Sequence, residues 1–197
     1  HPQAVYQMNT GGILMGRPSF GSWVAYGLGS ENQNLPSFIV LPDPGGGIKG
    51  GPPAWGSGYL PATHQGVTVR PGPTPLIHLN PTSTRTRREQ RSTLNLIQSL
   101  NKRHIEQRLG DDELSTRMQA YELAFRMQAA APELVDLSKE SAYTRSLYGM
   151  DRPETQEFGT RCLLARRMLE QGVRFVQLYS GDTNGWDAHS DVAKNHG

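Results

Sequence analysis

The apolar run over residues 173–179 opens into a segment that carries Asp182, Asp187, His189, Asp191, Asn195 and His196. Carboxylates and neutral imidazoles are ligands for a divalent ion of the zinc, manganese or iron type, or for magnesium or calcium where oxygens dominate. Asp187 and His189 are two residues apart, a spacing that aims both side chains the same way on an extended segment but not on a helix. Asp191 and Asn195 share a face if "SDVAKNH" is helical, with Ser190 or Asp191 as its cap. A solvated loop in which Asp187 and Asp191 cap turns fits the same residues, so the spacing leaves both readings open. Trp186, beside Asp187, is a packing residue or the wall of a pocket.

The elements upstream would have to position this cluster. Residues 154–171 show helical spacing, with Phe158, Cys162, Leu163, Ala165 and Met168/Leu169 on one face and Gly172 as the stop. Helix, Gly and a short β-rich run form the second half of an α/β unit, which predicts a parallel, central strand over 173–179. In open parallel sheets ligands collect beyond the carboxyl ends of the strands, which is where the Asp/His segment begins.

Nearer the start, residues 1–12 read as a short helix ended by Gly11 and Gly12, and "SFGSWVAYGLG" as a second with Gly29 as its C-cap. Residues 35–41 read as a buried strand stopped by Pro42. Gly and Pro are so frequent over 42–81 that only 75–79 reads as a short strand there. Such a stretch, with Trp55, Tyr59 and His64 in it, suggests a functional or covering loop. Two amphipathic helices follow over about 86–109 and 111–130. They hinge at "LGDDE" and break at Pro132, and His104 is placed on the first as partly buried core.

Several chemistries are excluded. Twenty Lys+Arg against eighteen Asp+Glu give a net charge of +2, no footprint for nucleic acid. The basic run "RTRREQR" is a solvated helix start or a polyanion contact. One cysteine, Cys162, permits neither a disulfide framework nor a cysteine zinc site, and its helix position suits a small core residue. No apolar run has membrane-spanning length and none reads as a signal peptide, which leaves the compartment open. "GGGIKG" matches a dinucleotide fingerprint formally, but "GPPAWGSG" follows it and supplies no helix for a pyrophosphate. No serine has the context of a nucleophile elbow. His64 and His78 stand alone.

"MNTGGILMGRPSFGSWVAYGLGSENQNLPSFIVL", "YELAFRMQAAAPELVDLSKE", "LLARRMLEQGVRFVQLY" and "GWDAHSDVAKNH" together resemble the sulfatase-like family known as domain of unknown function fifteen-oh-one. That family is abundant in planctomycetes and belongs to the alkaline-phosphatase superfamily. The resemblance runs through residues 1–197 in order. It implies one α/β domain with a partial alkaline-phosphatase-like fold: a central, mostly parallel sheet flanked by helices, with 42–81 as an irregular loop region, 86–130 as a helical pair and 154–197 as a helix–strand–metal-loop unit. It also implies a site for one or two divalent ions (zinc, manganese or calcium) and hydrolysis of sulfate or phosphate esters of small molecules or polysaccharides.

Carried over residue by residue, the resemblance assigns Asp187, His189 and His196 to the metal and Asn195 to a neighbouring or substrate-contacting role. The superfamily places an Asp and a His four apart after a strand; here the separations are two (Asp187/His189) and five (Asp191/His196). Arg17, Lys49 and Arg70 are each a solvated surface residue or an anion contact, and Trp186 is a candidate substrate wall. The resemblance further implies export to the periplasm or beyond, no nucleic-acid or membrane partner, and a nucleophile upstream of His1. The chain is thus expected to be a piece of a larger protein and, by itself, catalytically silent. The rival expectation is a non-catalytic exported protein that binds anionic polysaccharide through the Gly/Pro loop with Trp55 and Tyr59.

Overall fold

The computed structural model describes residues 2–43, 50–70, 85–107, 112–180 and 191. Among them are six helices and a three-stranded parallel sheet: α1 (Pro2–Thr10), α2 (Phe20–Leu28), β1 (Phe38–Leu41), β2 (Val67–Thr68), α3 (Arg87–Gln107), α4 (Asp112–Val135), α5 (Ala142–Leu147), α6 (Pro153–Glu170) and β3 (Phe175–Leu178). No described helix is long and apolar enough to cross a membrane.

The strand order is β2-β1-β3, with Phe38 opposite Phe175 and Leu41 opposite Leu178. All three strands run the same way, so their carboxyl ends share one rim. Alternation along β1 and β3 sends side chains to two cores. Ile39, Leu41, Val176 and Leu178 meet Met127, Ala131 and Leu134 of α4 and Leu164 and Met168 of α6. Phe38, Val40, Phe175 and Tyr179 meet Ala25 and Trp55 on the opposite face. Every residue of β1 is buried, as expected for a strand covered on both sides.

The boundaries have local causes. The Ser19 hydroxyl accepts from the Ser22 amide at 3.3 Å and caps α2, while Gly29, at φ 66°, ends it in a backbone that only glycine adopts freely. Gly21 is needed for contact: a Cβ there would lie 2.5 Å from the Phe38 ring and 2.7 Å from that of Phe175. Thr86 and Glu89 form a reciprocal capping box at the start of α3, so the basic run is a helix start.

Five expectations are corrected. β1, not β3, is central among the described strands, and β3 has one described neighbour. β2 lies inside the stretch read as irregular; two residues that follow a pair of one-turn 3-10 segments are too few for a visible alternation. The helix does not break at Pro132, because α4 continues to Val135. Pro132 sits in the last turn and forgoes the bond to the Gln128 carbonyl, but buried Ala131 and Leu134 hold that turn on the core. The buried face of α6 is rotated from the expected one: Leu163, Leu164, Met168 and Arg161 are inside, while Phe158 and Leu169 are largely exposed. His104 is exposed, for α3 buries no residue and meets α4 through a polar seam. In that seam Arg91 donates to both oxygens of Glu122 at 2.7 and 3.0 Å and lies over the Phe125 ring. The expected strand at 75–79 and most of the "LGDDE" hinge lie outside the described residues.

Candidate functional site

The carboxyl ends of β1 and β3 are adjacent, and a single side chain spans them. Arg161, from α6, is 3 % exposed. Its Nη1 donates to the carbonyl of Tyr179, just past β3, and lies 3.5 Å from the carbonyl of Pro42, just past β1. Its Nη2 is 3.5 Å from an Asp43 carboxylate oxygen. Burying a guanidinium is costly unless its charge and protons find partners. Here the partners are groups at the tips of the two strands. Nε of Arg161 has no hydrogen-bond partner among the described residues.

Tyr179 is held from the other face of the sheet as well. Gln177 Nε2 donates to the Tyr179 hydroxyl at 2.9 Å and to the Asn9 side-chain carbonyl, and Trp55 packs against the Tyr179 ring at 6.0 Å between centroids. Burial pushes the Tyr179 phenol up to about 12, and the hydrogen bond with Asn9 offsets only part of that. The phenol is therefore a neutral, structural group at ordinary pH.

Asp187, His189, His196, Asn195 and Trp186 lie outside the described residues, as do Asp182 and Lys49. Among the described residues no group of three or more His, Cys, Asp or Glu is arranged to hold a metal. Asp191 has φ 51°, a left-handed backbone that Asp tolerates, and the rest of the segment in which Ser190 or Asp191 would cap a helix lies outside the described residues. Arg17 is exposed on the loop between α1 and α2; its side chain folds over Gly12, where a Cβ would be 3.1 Å from Arg17 Cδ. Arg70 is exposed just past β2.

Other candidates resolve into structure. Ser19 and Ser22 are buried, bonded to each other at 2.9 Å, and Ser22 donates to the Gly56 carbonyl, so neither is poised as a nucleophile. Cys162 is half-buried and burial raises its thiol pKa, the opposite of activation. Trp55 is engaged with Tyr179, whereas Tyr59 is exposed and meets Trp23 edge-on at 6.0 Å.

Arg161 and the Asn9–Gln177–Tyr179 network went unnoticed in the sequence. The signal for Arg161 was present: it lies three and seven residues before Leu164 and Met168, a charge in an apolar stripe. Such a charge must find a buried partner, and its partners are 18 and 118–119 residues away, beyond any local pattern.

No curated protein and no solved structure shows a significant match to this chain. A family model described as "Protein of unknown function (DUF1501)" matches residues 1–197, and the chain belongs to that family.

Proposed function

We propose that this chain forms part of an exported, metal-dependent hydrolase of sulfate or phosphate esters, built on an alkaline-phosphatase-like version of the α/β fold. One observation carries the reading. The strand tips of β1 and β3 are tied together by Arg161, and the residues with metal-ligand chemistry follow β3 directly in the chain. That rim is where open parallel sheets collect ligands. The resemblance to sulfatase-like proteins supplies the reaction class.

The donor set fits a divalent ion: one carboxylate and two imidazoles, from Asp187, His189 and His196, suit zinc or manganese. When bound, such an ion supplies charge stabilisation at the ester's oxygens. The chain's residues do the rest. Asp187 and the two histidines hold the site, Asn195 and Trp186 contact the substrate, and Arg17 meets its anionic group. Arg161 holds the rim rather than touching substrate, because it is buried. Hydrolysis breaks the ester's S–O or P–O bond; water provides the hydroxyl of the released acid and the proton of the released alcohol.

The test is metal content together with hydrolysis of aryl sulfate and aryl phosphate esters by the full-length protein. Turnover that needs the metal and is lost in Asp187→Ala supports the reading. A metal-free protein, or turnover indifferent to chelator, contradicts it.

A further inference from the structure

A concave site lies at the end of the sheet opposite the Arg161 rim. A cleft of about 530 Å³ is lined by residues that precede β1 and β2, such as Gln33 and His64, and by the α3–α4 pair. That volume is within the range of small-molecule sites, about 300–1,000 Å³.

Its electrostatics are unbalanced. Glu122 is the one carboxylate among the lining residues, and both its oxygens are engaged by Arg91, with Gln98 adding a bond at 3.1 Å. Arg126, one turn further along α4, comes no nearer to Glu122 than 4.0 Å. Its Nε is buried and has no hydrogen-bond partner among the described residues. Lys102 lines the same cleft from α3. His64 contributes no charge at neutral pH, since burial lowers its pKa. The cleft thus offers two cations: Arg126, whose side chain is one-third exposed and only distantly paired with a carboxylate already held by Arg91, and Lys102. Gln33, Gln98 and Gln119 supply amides beside them.

We propose that this cleft binds a small ligand that joins an oxyanion to a hydroxyl-bearing body, such as a sugar sulfate, with Arg126 and Lys102 on the anion and the glutamine amides on the hydroxyls. None of the candidate metal ligands is among the residues that line the cleft, so the proposal stands or falls independently of the hydrolase reading.

The experiment is calorimetric titration of the full-length protein, in chelator, with glucose 6-sulfate, inorganic sulfate and glucose. Glucose 6-sulfate binds, more tightly than either fragment. Arg126→Gln and Lys102→Gln each weaken it by about tenfold or more, the scale of a charge-assisted hydrogen bond. Lys102 is exposed, so Lys102→Gln decides the matter should Arg126→Gln fail to fold. Absence of glucose 6-sulfate binding, or parent-like binding by the soluble variants, overturns the proposal. Equal affinity for inorganic sulfate overturns the assignment of the amides.

Discussion

The guanidinium of Arg161 donates to the backbone carbonyl of Tyr179, so a side chain of α6 fixes the tip of β3 beside that of β1. The Tyr179 ring is gripped from the opposite face by Trp55 and Gln177. Tyr179 is thereby anchored on both sides, immediately before the segment that carries the candidate metal ligands.

Arg161→Met is expected to destabilise the fold by about 2–3 kcal/mol, because it removes charge-assisted bonds and leaves strand-tip carbonyls unsatisfied. Arg161→Lys keeps the charge but cannot bridge two strands with a planar fork, and should fall between parent and Arg161→Met. Urea unfolding measures both. Parent-like stability for Arg161→Met would show that the rim needs no clamp.

Gly21→Ala tests the packing of α2 on the sheet. The added methyl meets the rings of Phe38 and Phe175 at 2.5–2.7 Å. Overpacking of this kind costs about 1–3 kcal/mol. Gly27→Ala, on the same helix with nothing within 4 Å of the new methyl, is the control and should stabilise by about 0.5–1 kcal/mol. Thermal melts of the pair should move in opposite directions; equal shifts would refute the close approach.

Tyr179 gives stability an alkaline dependence. Its folded-state pKa is about 12 against an ordinary value of 10.0. Below pH 10.0 the phenol is protonated in both states and its contribution is fully present. As pH rises from 10.0 toward about 12 the unfolded chain ionises first and stability falls. Denaturant unfolding between these limits should show a steeper decline for the parent than for Tyr179→Phe. Parallel declines would place the phenol in water.

Much of the scaffold was legible because its signals are local. Ser19 and Gly29 bracket α2, Gly172 ends the turn before β3, and the helix–Gly–strand order predicts the parallel pairing seen between β3 and β1. What escaped depends on distant partners. Pro132 reads as a breaker until the core contacts of Ala131 and Leu134 are seen to hold its turn. The face of α6 was misjudged because Arg161, a charged residue, takes a buried position that only the tips of β1 and β3 explain. The exposed α3 looked amphipathic through Leu94, Ile97 and Leu100, yet its contact with α4 runs through Arg91 and Glu122. Of the candidate site, the sequence shows the ligand chemistry of Asp187, His189 and His196, and the structure describes the rim from which their segment departs.

The most direct measurement is metal stoichiometry, by elemental analysis of the full-length protein and of its Asp187→Ala and His189→Ala variants. One or two divalent ions per chain in the parent, with at least one lost from each variant while the thermal melt of the chelated proteins stays the same, is the predicted result. A parent without metal, or variants that retain the parent's full complement, would contradict the assignment on which the hydrolase reading depends.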